Sequence, residues 1–412
     1  MSSQSSLLPV DQLVCRLIEH AQQISLETEF CLIGDALGRV LSTPIISTIN
    51  VPPFDNSAMD GYALAWQSDL LEKEFPVSQI SLAGQASCNL QPNTAVRILT
   101  GAPIPQGADT VIMQENVTCN NAGDTSNILI HAQPKLHDNI RRAGQDIAKG
   151  ATVFPIGTRI GAAEIGLLAS LGIERVQVYW QLRVSVIATG DELVTLGKPL
   201  VDGQIYNSNN PLLVALLKVL HVRIVRVEQV PDQPEKLKEV LKLAASDSDL
   251  ILTTGGASVG DADHLKDVLT QIGRIEHWKI AIKPGKPLVW GEVLSSQAKM
   301  IPLIGLPGNP QSVWVTFLIV VLPYLKSLQG QRTRLVPQAI KVPAGFKRSK
   351  AQGRREYVRV QLVDGQLTPH PTQSSGALMS ASWADGFAVI NVGQIVTEGD
   401  LVDYLPLVGV LG

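Results

Sequence analysis

Val184-Ser185-Val186-Ile187-Ala188-Thr189-Gly190-Asp191-Glu192 is the stretch on which the fold turns. Its short, almost wholly apolar head suits a strand buried on both faces, and it ends in small and acidic residues. The pattern returns at 250–253, which leads into Thr254-Gly255-Gly256-Ala257-Ser258-Val259-Gly260-Asp261-Ala262-Asp263. It returns again at 301–305, which leads into Leu306-Pro307-Gly308-Asn309-Pro310. Between these runs, apolar residues at the helical period predict helices over 211–220, 235–245 and 264–272, with another strand over 222–227. A long apolar helix is predicted over 311–321. Strands and helices alternating at these lengths build βαβ units, so residues 182–330 read as a doubly wound, mostly parallel α/β sheet.

Toward the N-terminus, Val10, Leu13, Val14, Leu17, Ile18, Ala21 and Ile24 fall on one face of a predicted amphipathic helix. Val51-Pro52-Pro53-Phe54 breaks that pattern. From there to about residue 146, strand-like runs (95–99, 110–113, 128–132) alternate with Gly, Pro and Asn, as in a small β lobe. Helical spacing over 160–171 ends at Gly172, a natural C-cap. Beyond Gly330, runs at 357–363 and 366–368 flank Asp364-Gly365, a two-residue hairpin signal, so the tail reads as a small all-β domain.

A chain of 412 residues has material for several such domains. Its 34 basic and 37 acidic side chains nearly cancel, which argues against nucleic acid or an acidic membrane as partner. The four cysteines lie far apart with no C-x-x-C pair, so neither a disulfide scaffold nor a zinc knuckle is expected. No secretory pattern opens the sequence. The longest apolar stretch, 313–325, contains Thr316 and Pro323 and falls short of the ~20 residues of a membrane span. A cytoplasmic protein is expected.

Ligands of open α/β sheets sit beyond the carboxyl ends of the strands, where the three loops quoted above lie. Glycines there admit close backbone approach, and the helix starts that follow offer N–H groups to an anion. Thr189, Gly255, Gly256 and Ser258 are therefore candidate binding residues, with ordinary tight turns as the competing reading. No loop has the spacing of a nucleoside-triphosphate or dinucleotide fingerprint. A second stretch is Trp278-Lys279-Ile280-Ala281-Ile282-Lys283-Pro284-Gly285-Lys286-Pro287. If 278–283 is extended, Lys279 and Lys283 share a face with Ala281, and the Pro-Gly turn brings Lys286 nearby. Three ammonium groups around a small residue make a pocket for an anion; an edge strand guarded by lysines is the alternative. Glu192, Asp232 and Asp263, with Asp191 and Asp261, stand at strand ends and suit Mg²⁺ beside a phosphate, against a plainer role in helix capping. The seven histidines show no paired metal-binding spacing, and Ser258 has no identifiable acid–histidine partners for a serine hydrolase. Lysines beside acids point to phosphoryl or nucleotidyl chemistry, in which electrostatic positioning does most of the work.

These stretches and several others resemble one family. Pro53-Phe54-Asp55-Asn56-Ser57-Ala58-Met59-Asp60-Gly61-Tyr62-Ala63 is similar to the signature of the molybdopterin molybdenumtransferases, the MoeA and gephyrin E-domain family. Arg97-Ile98-Leu99-Thr100-Gly101-Ala102-Pro103, Ile140-Arg141-Arg142-Ala143-Gly144-Gln145-Asp146 and Tyr206-Asn207-Ser208-Asn209 resemble it too, as do the Lys-Pro-Gly-Lys-Pro turn and Gly353-Arg354-Arg355-Glu356. The resemblance covers nearly the whole chain. It implies an elongated subunit with a discontinuous linking domain (27–45 and 147–178), a β lobe (46–146) and an α/β molybdopterin-binding domain (179–330). The helix of 1–26 would pack on the α/β domain, and a small C-terminal β barrel (331–412) would follow.

The resemblance further implies a homodimer with a composite active site that inserts molybdate into adenylylated molybdopterin, releases AMP and requires Mg²⁺. A transient contact with the molybdopterin adenylyltransferase is part of the same expectation. Position by position, it implies catalytic roles for Asp60, Glu192, Asp263, Lys279 and Lys283, and metal binding by Glu192, Asp232 and Asp263. It places Thr100, Asp146, Thr189, Gly255, Gly256, Ser258, Lys286, Pro307 and Pro310 at the substrate. Asp60, Thr100 and Asp146 would complete the cleft of the partner subunit. Departures are small: Ala257 stands where many members have a larger aliphatic, and 291–300 reads as a longer hairpin loop. Two other functions compete, a molybdopterin adenylyltransferase or related nucleotide pyrophosphatase, whose folds resemble the α/β domain alone, and a non-catalytic scaffold.

Overall fold

The computed structural model describes residues 7–122, 125–256 and 264–409. The chain divides into two compact units, Met1–Ser42 with Gly157–Gly161 and Val176–Gly412, and Thr43–Ile156 with Ala162–Arg175. The two segments expected to form a linking domain are thus each shared between the units.

The first unit holds a six-stranded sheet: β1 Arg183–Thr189, β2 Arg223–Val230, β3 Leu250–Thr254, β4 Gly273–Trp278, β5 Val289–Leu294 and β6 Met300–Leu306, in the order β2-β1-β3-β6-β5-β4. β2, β1, β3 and β6 run parallel, and β5 and β4 join antiparallel at one edge. Its helices are α1 Val10–Gln23, α2 Asn209–Val219, α3 Pro234–Asp247, α4 His264–Ile272 and α5 Pro310–Leu328. The apolar strands follow from burial on both faces. Val184, Val186, Leu250, Leu252, Ile304 and Leu306 join a core with α1, α2 and α5. Their pleat neighbours Ile187, Ile251 and Leu303 join another core with Leu237 and Leu241 of α3 and Leu265 and Leu269 of α4. Helix α5 is long and apolar enough to cross a membrane by length and composition, but 94% of that stretch is buried inside the fold. It is the core helix of this unit.

Two local expectations need correction. Residues 278–283 do not form one strand. β4 stops at Trp278, Lys279 adopts a φ of +73°, and only Ile282–Lys283 becomes extended again, pairing in parallel with Arg355–Glu356. The cause is a change of backbone partners: Lys279 N–H donates to Leu288 O, Ile280 N–H to Lys286 O and Ala281 N–H to Leu8 O. Side-chain alternation therefore does not run from Lys279 to Lys283. Likewise 291–300 is not a long loop, since β5 reaches Leu294 and β6 begins at Met300, pairing Gly291 with Leu303 through to Leu294 with Met300. Gly291 marks close packing within the sheet: a Cβ there would lie 2.6 Å from Arg274 O.

The tail of this unit forms the expected β structure. Ile340–Pro343, Arg355–Val363, Gly386–Ile390 and Leu401–Pro406 share a sheet, with Gln366–Pro369 hairpinned to Arg355–Val363. Asp364 and Gly365 both take positive φ (+49° and +78°), as a type I′ turn requires. A parallel bridge from Ala344 to Leu367 brings the first strand back to the hairpin, closing a small barrel around Val358, Val360, Ala388 and Val402.

In the second unit, six strands follow the order Thr110–Met113, Gly61–Leu64, Ala95–Ile98, Glu74–Ser81, Thr125–Ile130 and Val117–Ala122. Tyr62, Leu64, Phe75, Ala95 and Ile112 are buried in its core. Helix Ala162–Ser170 also belongs to this unit, and Gly172 follows with a φ of +72°.

Candidate active site

At the carboxyl edge of the parallel strands the first unit contains a cavity of about 620 Å³, within the range of small-molecule sites. Thr189 ends β1, Gly255 and Gly256 follow β3, and Pro307 and Pro310 follow β6; all five line it, as do Glu192, Lys283 and Lys286. Gly255 explains how the loops come so close. Its φ is +83°, and a Cβ there would lie 2.3 Å from Thr189 O. Helix α2 braces the arrangement, since Asn209 Nδ2 donates to Gly308 O (2.7 Å) and Asn210 Nδ2 to Glu228 O (3.0 Å). Thr189 Oγ1 is buried at the cavity without a hydrogen-bond partner among the described residues.

The opposite wall comes from the barrel. Arg354, Glu356, Arg359, Gln373 and Ser375 line the same cavity. Lys283 Nζ lies 3.1 Å from Glu356 Oε1. Arg359 is buried in its strand, and desolvation pulls its guanidinium down to about 10. Its Nε donates to Ser380 Oγ (3.3 Å) and its Nη2 to Ser374 O (3.2 Å). Cations from two structural layers thus share one cavity.

Acids gather beside β1. Asp232 N–H donates to Asp191 Oδ1 (3.0 Å). Burial raises the Asp232 carboxyl above its usual range, and the charges of Asp191 and Glu192 push the same way. Crowded carboxylates of this kind fit a divalent cation. Among the described residues, no three His, Cys, Asp or Glu side chains converge as a formed metal centre. Asp263 and Ser258 lie outside the described residues. Lys279 is half-buried and is not among the described residues that line the cavity.

Asp60, Thr100 and Asp146 belong to the second unit. The adjacent strands Gly61–Leu64 and Ala95–Ile98 pair Gly61 with Ile98, bringing Asp60 and Thr100 to one sheet end. Thr100 donates to Asp60 Oδ1 through both its N–H and its Oγ1, each at 2.7 Å, and these bonds hold the Asp60 carboxyl below its usual range. Asp146 is exposed, with its N–H donating to Val51 O (3.0 Å).

Residues 8–172 match the family model of the MoeA N-terminal region (domain I and II), 185–327 that of a probable molybdopterin binding domain, and 341–407 that of the MoeA C-terminal region (domain IV). This chain belongs to the MoeA family. A molybdopterin molybdenumtransferase of Haemophilus influenzae is 42% identical over 355 residues, covering 86% of this chain and 85% of that protein. One of Nostoc sp. is 36% identical over 396 residues, covering 92% and 89%. The crystal structure of a molybdopterin biosynthesis moeA protein from Pyrococcus horikoshii OT3 matches with a TM-score of 0.81 at 26% identity, covering 97% of this chain and all of that one.

Within this MoeA-family chain, the sequence reading left out the barrel side of the cavity. Arg354 falls in the Gly353-Arg354-Arg355-Glu356 motif, which by itself assigns it no role, and Arg359 lies in no motif. A signal was available: Arg359 is a lone charge inside the apolar run Tyr357-Val358-Arg359-Val360, and an arginine is seldom fully buried without a partner or a task.

Proposed function

We propose that this chain is a molybdopterin molybdenumtransferase that inserts molybdate into adenylylated molybdopterin and releases AMP, giving molybdenum cofactor. The observation that carries the reading is one cavity in which Lys283, Lys286, Arg354 and Arg359 meet the glycine loops at the ends of β1 and β3. Two anions, a pyrophosphate-bearing pterin and a dianionic oxyanion, repel each other in water, and fixed cations lower the cost of bringing them together. Backbone N–H groups of the loops and the Thr189 hydroxyl orient the phosphates. Leu193, Ile205 and Tyr206 line another part of the cavity and offer an apolar wall to a flat heterocycle.

Glu192 and Asp232, with Asp263, would hold Mg²⁺, which when bound neutralises phosphate charge. The crowding of Asp191, Glu192 and Asp232 supports that assignment. The reading also includes a cytoplasmic homodimer in which Asp60, Thr100 and Asp146 serve the cavity of the partner subunit, and a transient contact with the molybdopterin adenylyltransferase. Purified protein is expected to release AMP from adenylylated molybdopterin only when molybdate is added, with tungstate run in parallel. Asp60→Ala and Lys283→Ala are each expected to abolish release while circular dichroism shows the fold retained. Wild-type turnover in both variants would refute the assignment.

A further inference from the structure

Glu356 places a carboxylate at the cavity wall that also carries Arg354 and Arg359. Its residue is only 7% exposed, and a buried carboxylate is costly unless it is paired. Its partners are Lys283, with Nζ 3.1 Å from Oε1, and Arg348, with Nε 3.8 Å from Oε2. The pair is fixed by backbone as well, because Lys283 and Glu356 are register partners in the short parallel ladder of Ile282–Lys283 with Arg355–Glu356. Arg354 Nη1 also donates to Ile282 O (3.4 Å), holding the same two-residue strand.

We propose that Glu356 is a positioning residue that holds the Lys283 ammonium at the cavity wall, so that an anion-binding group of the α/β unit is oriented by the barrel. This rests on the function proposed above. Lysine carries a flexible stem with three donors on one nitrogen. Pairing one donor with Glu356 removes rotamer freedom before the ligand arrives and leaves the other two for an oxyanion. Among the described residues, the remaining charged groups at the cavity are Lys286, Arg354 and Arg359, of one sign, and Glu192 from the end of β1. Glu356 is the only acid among the described lining residues that contacts Lys283.

The test uses the full chain, with Glu356→Gln to keep the shape and Glu356→Asp as a second variant that keeps the charge. A crystal structure of Glu356→Gln is expected to show the Lys283 ammonium displaced from the place it holds in wild type. Calorimetry with molybdate alone is expected to show binding weakened about tenfold in Glu356→Gln. Glu356→Asp should recover part of it, and Glu356→Gln should add nothing in a Lys283→Ala background. A Lys283 ammonium that stays in place in Glu356→Gln, or losses that add in the double variant, would overturn the positioning role. A wild-type protein without molybdate-dependent AMP release would instead defeat the proposed function, and the position of the Lys283 ammonium would still decide the coupling to Glu356.

Discussion

At Gly255 a single methyl group decides whether the loops after β1 and β3 can meet. The left-handed φ of +83° and the 2.3 Å approach of a Cβ to Thr189 O both act against any side chain there. Gly255→Ala is expected to cost about 1–3 kcal/mol, the scale of a residue forced into a rare backbone region. Urea unfolding should show a lower midpoint, and the variant should bind AMP and molybdate more weakly. An unchanged midpoint with unchanged binding would show that the loops have room to move. At this scale the sequence was informative where chemistry coincides with strand ends, as at Thr189, Gly255 and Pro307. It was misleading at Lys279, because reading a face from period-two spacing assumes one continuous ladder, and three successive N–H groups there bond three different partners. Arg359 could not be placed by local reading, since what brings it to the cavity that Lys286 also lines is the docking of a barrel on an α/β layer.

Helix α1 is joined to the sheet by a polar cluster as well as by its apolar face. His20 Nδ1 lies 2.8 Å from Tyr324 Oη of α5, and its Nε2 lies 3.0 Å from Glu292 Oε1 of β5. Glu292 is buried, and the hydrogen bond from His20 holds its carboxyl below the ordinary value of 4.5, with Arg274 adding to the effect. A folded pKa below the unfolded one stabilises the protein above the unfolded pKa, and that stabilisation is lost as pH falls through the folded value. The gap in unfolding free energy between wild type and Glu292→Gln should therefore narrow as pH is lowered from about 6 to about 3. A constant gap across that range would mean that the carboxylate is not what couples α1 to β5. The periods of α1, α3 and the parallel strands were legible because one-sided and two-sided burial leave distinct patterns. The edge pair β4 and β5 was not, because an antiparallel addition to a parallel sheet carries no periodicity of its own, and Gly291 reads as a loop residue until the strand beside it is known.

For the whole molecule, the chain-long motif order made the family legible, and the three family matches divide between them most of the sequence. How Asp60 reaches chemistry is a different kind of question, because in the proposed composite site the answer depends on a second copy of the chain. The proposed composite site can be tested without seeing the interface. Asp60→Ala and Lys283→Ala each disable one half of every site in their own homodimers. After subunit exchange, half of the dimers are mixed, and if the halves come from different subunits, each mixed dimer regains one intact site of two. Mixing equal amounts should then restore about a quarter of wild-type AMP release, the share set by twofold symmetry and random pairing. If Asp60 and Lys283 of one chain serve the same site, every site in the mixed dimer lacks one group and no activity returns. The arms separate cleanly because Asp60 is anchored to Thr100 in one unit and Lys283 to Glu356 in the other, so neither substitution removes a contact on which the other residue depends.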